Sequence, residues 1–346
     1  MTWDVDYLRD NRDENMGFLS KTLLPDGTEI PGTNFDYNYL QHRKVDVVSS
    51  ALDFILPFEK YKITAGAKVS FTNTRNGINY DTSDPTLVQD DYFRYKEQIY
   101  ALYADYSREF SERFSMQLGL RMEHTRTTGI SEAKDTEDKH DYTRLFPTVY
   151  LLYSPTDGHA LNFSFSNRIS RPSQNMVNPF PFYQNKYTYA CGREDLKPSY
   201  TYNAELGYTL KNNFNVSAYY SYSDDVFFQV VDLDAETNVT SFLWENFMQT
   251  HAFGLNNSYT FRTKWLQAYA QHGVSYRRTT SSAATTSPEE KGWLMTPVCA
   301  TLSSSMKRRL FWPRCPVPIL PVSIRHLSDE SHLQRQCRYA LPVVGQ

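Results

Sequence analysis

Apolar and polar side chains alternate with a period of two along most of residues 1–291, and this constrains the fold more than any other feature of the chain. In 113–125 the even positions are Phe114, Met116, Leu118, Leu120 and Met122, set against Arg113, Ser115, Gln117, Gly119, Arg121 and Glu123. In 160–169 Leu161, Phe163 and Phe165 alternate with Asn162, Ser164, Ser166 and Arg168. In 61–71 Ile63, Ala65, Ala67, Val69 and Phe71 alternate with Lys62, Thr64, Gly66, Lys68 and Ser70. Successive side chains of a strand point to opposite faces, so each set occupies one face of a sheet. No stripe of 3.6-residue period runs to comparable length, and the chain reads as all-β.

Turn clusters divide the pattern into hairpins. Lys211-Asn212-Asn213 separates 200–210 from 214–222. With Leu210 opposite Phe214, Tyr208 meets Val216, Leu206 meets Ala218 and Tyr202 meets Tyr222, so apolar positions face apolar positions. A tight turn at Arg262-Thr263 sets Tyr259 opposite Leu266 and Leu255 opposite Ala270. Short connections are expected near Glu59-Lys60, 110–112, 155–158, Asn212 and 262–263, and long ones over 10–34, 76–91, 126–141, 171–199, 231–240 and 278–291. The strands between them run to ~10–20 residues, against ~5–6 in soluble sheets.

Long antiparallel up-and-down strands, short turns on one side and long loops on the other describe part of a large transmembrane β-barrel of the outer membrane. Tyr200, Tyr202, Tyr208, Phe214, Tyr220 and Tyr222 are placed to form aromatic belts at both interfaces, and Asn203, Glu205, Asn215 and Ser217 to face a wet lumen. So long an apolar face needs lipid, which makes outer-membrane lipid the expected surroundings. The rival reading is a soluble or surface-attached carbohydrate-binding β-sandwich. It would share the aromatics but stay soluble without detergent.

Composition agrees with strands that have a wet boundary. Tyr, Phe and Trp make up 15% of the chain, with 26 Tyr, and tyrosine is both β-favouring and amphipathic. The formal net charge of −3 gives no basic surface for nucleic acid. The longest near-apolar run, Ala51–Phe58, is broken by Asp53 and is far short of a membrane-spanning helix. The first residues, Met1-Thr2-Trp3-Asp4-Val5-Asp6, do not read as a signal peptide.

Composition shifts near residue 292. Beyond it lie one Tyr (Tyr339), three of the four Cys (Cys299, Cys315, Cys337) and six of the 17 Pro, with seven basic against two acidic residues. The chain therefore reads as a partial barrel of about eleven strands over 1–291 and an atypical Pro- and Cys-rich tail over 292–346, translated out of frame or disordered. The scattered cysteines form neither a disulfide framework nor a zinc site.

Several stretches resemble one family. Phe93-Arg94-Tyr95-Lys96-Glu97-Gln98-Ile99-Tyr100-Ala101 leads to Gly119-Leu120-Arg121-Met122-Glu123, followed by Arg144-Leu145-Phe146-Pro147, Arg171-Pro172, Asn178-Pro179-Phe180 and Leu196-Lys197-Pro198. This order resembles the barrel of TonB-dependent receptor-like outer-membrane proteins of the Bacteroidetes type, over roughly 40–280. Where the family usually has Gly-Asn-Pro before the last motif and Glu after it, this chain reads Gly192-Arg193-Glu194-Asp195-Leu196-Lys197-Pro198-Ser199. The resemblance implies a 22-stranded barrel that imports a small nutrient ligand, with a plug domain and the TonB complex as partners. This chain accounts for about half of such a barrel, which is not expected to transport alone.

No catalytic constellation stands out, and neither a cofactor nor a metal is called for. The eight His lack zinc-ligand spacing, and carboxylates such as Glu123 and Glu205 fall on the polar strand face, where they read as lining for a watery lumen. The segment 171–199 is the candidate for ligand contact. It displays Phe180, Phe182, Tyr183, Tyr187 and Tyr189 among Asn and Pro, and loop aromatics can stack on sugars or metal chelates. The plainer alternative is that these rings pack the loop on itself.

Overall fold

The structure is a computed structural model describing residues 1–31, 35–82, 90–263, 266–282 and 289–304. Its long strands are β1 (Thr2–Ser20), β2 (Phe35–Pro57), β3 (Tyr61–Thr82), β4 (Asp91–Ser111), β5 (Phe114–Ser131), β6 (Thr136–Tyr153) and β7 (His159–Ser170). A one-turn helix α1 (Gln174–Val177) and two short strands, β8 (Phe182–Asn185) and β9 (Thr188–Cys191), follow. The sheet resumes with β10 (Ser199–Leu210), β11 (Phe214–Asp234), β12 (Val239–Arg262), β13 (Leu266–Ser281) and β14 (Glu289–Ser304). Consecutive long strands pair antiparallel in the order β1-β2-β3-β4-β5-β6-β7-β10-β11-β12-β13-β14, one continuous meander. Two packed layers, as a sandwich requires, do not occur among the described residues.

The sheet is apolar outside and polar inside, the reverse of a soluble domain. On β5, Leu118, Leu120 and Met122 are exposed, whereas Glu123, Thr125 and Thr127 on the opposite face are buried. The outward set continues laterally through Phe71, Leu102, Leu145, Leu161, Leu206, Phe253 and Leu255. Between Tyr61 and Phe71 lie ten residue steps, which at about 3.3 Å each and a tilt of ~40° rise roughly 25 Å, the height of a hydrocarbon band.

Aromatic pairs mark both borders. Phe58 stacks on Tyr61 at 4.4 Å and Phe110 lies 5.3 Å from Phe114 at one border. At the other, Phe71 meets Tyr100 at 5.8 Å, Tyr202 stacks on Tyr222 at 6.0 Å, and Tyr222 on His251 at 4.7 Å. Tyr200 does not join the belt: it is buried beneath the Arg144 guanidinium, 4.7 Å from the ring.

Several expected long connections are shorter than their sequence ranges, among them 76–91, where β3 runs on to Thr82. Residues 126–141 and 231–240 are not long loops. Strands run on to tight turns at 132–135 and 235–238, where Asp135 (φ 51) and Asn238 (φ 56) adopt the left-handed conformation. Above the lipid band both strand faces are wet, so these extensions carry no apolar alternation to reveal them. Likewise β1 covers residues 10–20, leaving 21–34 between it and β2. Among the described residues the sheet has twelve long strands against the eleven or so expected, because β14 runs through the composition boundary at 292. Residues 305–346 of the tail lie outside the described residues.

Candidate functional site

Residues 171–198 leave the top of β7, enter the concave side of the sheet and return to β10. The entry is built on Asn178-Pro179-Phe180. The Asn178 side-chain oxygen accepts the Phe180 amide at 3.2 Å, and its backbone oxygen accepts the Gly192 amide at 2.9 Å. Arg193 then donates its amide to the Met176 carbonyl at 2.8 Å, closing the segment on itself. A Cβ at residue 192 would fall 2.7 Å from both the Asn178 nitrogen and the Met176 oxygen, and closer still to the Asn178 oxygen. Only glycine fits there.

The wall holds this insert from two sides. β9 adds in parallel to β12, pairing Thr188–Cys191 with Thr240–Leu243. Across the lumen, the hydroxyls of Tyr37 and Tyr80 both donate to the Pro181 carbonyl at 3.2 Å. Arg193 reaches Glu245 on β12 at 2.7 Å, and the Asn246 side chain bonds both the amide and the carbonyl of Lys197 at 2.9 Å. Bridging β2–β4 to β12 in this way requires the sheet to curve around the insert.

The five loop aromatics separate by position. Phe180 and Tyr183 are buried in the core cluster with Phe35, Tyr37, Tyr39, Ile78, Phe93, Val177 and Leu196. Phe180 lies edge-on to Phe93 at 6.4 Å, and Tyr183 meets Tyr37 at 5.2 Å. Phe182 and Tyr189 pack half-buried against the same cluster. Tyr187, 55% exposed at the tip of the β8–β9 hairpin, is the one with an open ring. These rings therefore pack largely on the barrel wall, where lone loop aromatics would stand free.

Beneath the insert an ionic cluster lines the lumen. Glu123, 4% exposed, receives Arg121 Nη2 at 2.6 Å and Nε at 3.0 Å on one oxygen, and Arg171 Nη2 on the other. Arg171 Nε stands 3.8 Å from the Glu97 carboxylate. Burial lowers the Arg171 guanidinium pKa from its ordinary value, with the negative charge of Glu97 opposing. A cavity of 570 Å³ adjoins this cluster, lined by Lys68, Tyr103, Asp105, Arg121, Glu123, Thr148, Asn167, Arg168 and Arg171, among others. The alternation in sequence puts Lys68, Arg121, Glu123 and Arg168 on the polar strand face, but it does not bring them to one place. The lining residues are spread over five strands and the insert, and only strand register brings them together.

A family model of the outer membrane protein beta-barrel family matches residues 1–308. The chain belongs to that family. This barrel lies in the outer membrane, and its wall is the curved all-β sheet described above. No curated protein matches the sequence. Among solved structures it is similar to the copper transporter OprC (11% identity, TM-score 0.51), covering 85% of this chain and 56% of that one. It is also similar to the ferripyoverdine receptor of the outer membrane of Pseudomonas aeruginosa bound to ferripyoverdine (15%, 0.46, 85% and 41%). The third is the ferric citrate transporter FecA in its unliganded form (10%, 0.42, 89% and 55%). The likeness to the copper transporter shows the fold, and the chain spans about half the length of these proteins.

Cys191 reports on the seating of the insert. Burial raises its thiol pKa, countered in part by Lys134, and Sγ lies 3.0 Å from the Pro179 carbonyl. Only the thiolate attacks, so a raised pKa leaves less of it at any pH below that value. With Cys299, Cys315 and Cys337 changed to Ser, Cys191 is expected to react with iodoacetamide at pH 8 at least tenfold slower than an exposed cysteine, with its rate–pH curve displaced to alkaline pH. An ordinary rate and profile would place Cys191 in water. Gly192→Ala in the same background is expected to unseat the hairpin and restore an ordinary alkylation rate while the barrel stays folded. A still-protected Cys191 would mean that the close approach at residue 192 does not hold the insert in place.

Proposed function

We propose that this chain is wall and inner lining of a TonB-dependent receptor-like protein that binds a small nutrient ligand at its mouth and passes it inward across the outer membrane. The carrying observation is the insert. It is a structured segment pinned to opposite walls and filling the mouth, above a lumen lined with charged groups, as a gated binding site needs and a passive wall does not. The fold shared with a copper transporter supports a receptor or transport role over catalysis, and binding with release requires no bond-making step. In this reading the open edges of the sheet are closed within the complete barrel, as hydrocarbon requires, and a plug domain and an inner-membrane TonB complex, implied by the family resemblance, complete the assembly. The exposed apolar band disfavours the soluble carbohydrate-binding sandwich.

The test is a comparison of parent cells with a strain lacking this reading frame, scored for solutes taken up from the medium with the proton gradient intact or collapsed. At least one solute whose energy-dependent uptake vanishes with the gene supports the proposal. Identical uptake profiles in the two strains would contradict it.

A further inference from the structure

We infer that the outer wall binds the phosphate of an anionic lipid headgroup, at a site formed by Lys44, Arg75, Arg94 and Lys96 just above the lipid band. This goes beyond the receptor reading and does not depend on it. Strand register builds the site. Lys44 on β2 lies directly opposite Arg75 on β3, and Arg75 directly opposite Arg94 on β4. Lys96, two residues along β4, sits in the next row, opposite Asn73. All four are on the outward face: Lys44 is in phase with the exposed Val48, Arg75 with Phe71, and Arg94 and Lys96 with Leu102. Their neighbours of opposite phase, Thr74, Asn76 and Phe93, are buried on the inward face. Like charges directly opposite each other on a sheet repel, so three cations in one row are unfavourable unless an anion covers them.

The carboxylates nearest on that face are already held. Asp46 accepts from Arg9 at 2.6 Å, Asp13 from His42 at 2.8 Å, and Asp90 from the Tyr80 amide at 2.7 Å. Among the described residues the four cations form no ion pair. Arg75 donates to the neutral Asn73 side-chain oxygen at 3.0 Å, and the Arg94 guanidinium lies 5.8 Å from the Tyr92 ring, its Nε buried without an acceptor. Height decides which anion fits. Phe71 marks the upper border of the lipid band; the Lys96 row is two residues above it and the Arg75 row four. At ~3.3 Å per residue and a tilt of ~40°, these are roughly 5 and 10 Å up. Headgroups add about 6 Å to each side of the hydrocarbon, and long basic side chains bend their charges towards that level. A soluble anion on so open a surface is screened by salt, whereas a lipid phosphate is held there by its own chains. β1 and β5 flank the three strands, so the site lies within the wall and not at a free edge.

The test reconstitutes the full chain, its native cysteines changed to Ser, in phosphatidylcholine vesicles with a fluorescent bimane on one introduced cysteine. Gln98→Cys places the label one row below Lys96, and Tyr220→Cys places it on the outward face of β11, away from the site. Brominated lipid quenches the label on contact, so brominated phosphatidic acid and brominated phosphatidylcholine, each as a minor component, report which headgroup gathers at each position. Phosphatidic acid is expected to be enriched at least fivefold over phosphatidylcholine at residue 98 and not at residue 220. The variant Lys44→Gln/Arg75→Gln/Arg94→Gln/Lys96→Gln, which breaks no ion pair, is expected to abolish the enrichment. Added inorganic phosphate is expected to leave it unchanged. Equal enrichment at 98 and 220, or enrichment that survives the fourfold variant, would overturn the assignment. Displacement of the lipid by inorganic phosphate would give the site to a soluble anion and overturn the lipid assignment equally. The contrast between 98 and 220 in the parent chain needs no variant, and it decides the matter alone if the fourfold variant does not fold.

Discussion

Leu120→Arg is expected to destabilise the folded barrel by about 2–4 kcal/mol, the cost of a cation on the lipid face near the bilayer midplane. Leu120 is 51% exposed on the outward face of β5. It sits between the border residues Phe114 and His124, which pack beside Phe110 and Tyr100 respectively. Gln117→Arg, on the opposite face of the same strand, is expected to change stability by less than about 0.5 kcal/mol, as surface substitutions away from special features do. Denaturant unfolding of each variant in lipid vesicles measures both. Equal costs at the two positions would mean that β5 is not divided between lipid and lumen.

Glu123→Gln is the second large effect. The carboxylate is almost wholly enclosed and accepts from two guanidinium groups, so removing its charge leaves two cations facing each other. Breaking a buried pair by losing one partner costs ~3–5 kcal/mol. Arg121 and Arg171 keep 36% and 24% side-chain exposure, which puts the expected value near the low end, about 3 kcal/mol. Adding Arg171→Gln removes one of the uncompensated cations, and the double variant is expected to be more stable than Glu123→Gln alone. The same unfolding assay reads it. A single-variant cost below about 1 kcal/mol would show that the cluster is solvated and carries little stability.

The sequence disclosed the strand faces because the lipid band imposes them. Any slip by one residue would turn Leu118 and Leu120 into the lumen and Glu123 into hydrocarbon, so the alternation is enforced wherever lipid touches the wall. The hairpin at 211–213 was legible to the residue, with Leu210 opposite Phe214 and Tyr202 opposite Tyr222, because its Asn-rich turn is short and unambiguous. Between β12 and β13, where a tight turn was expected at Arg262-Thr263, the expected register was off by four. Tyr259 faces Ala270 and Leu255 faces Val274, where Leu266 and Ala270 were expected as partners. A shift of four keeps every side chain on its own face, so face alternation cannot detect it; only the place of the turn can.

The interior was less legible for a related reason. The aromatics of 171–199 were visible as a cluster, but nothing local says that Phe180 packs on Phe93 or that Tyr37 and Tyr80 converge on Pro181. The ionic cluster was hidden further. Glu97, Glu123 and Arg171 are far apart in sequence, and each alone is an ordinary polar residue on a wet face. Their meeting depends on the registers of β4 and β5 and on the path of the insert. Gly192 was noticed as part of a departing motif, although its tight fit against Asn178 makes it a structural requirement of the insert.

The central claim is that this sheet is a membrane wall, lipid on one side and water on the other. Nitroxide labels placed singly at each position from 116 to 125, in the Cys-free chain reconstituted in vesicles, test it most directly. Accessibility to oxygen, which partitions into lipid, and to a water-soluble nickel chelate is read at each site. The account predicts alternation with a period of two. Even positions such as 118, 120 and 122 should be oxygen-accessible, and odd positions such as 117, 119 and 121 nickel-accessible. Nickel access at every position, or the two faces exchanged, would contradict it.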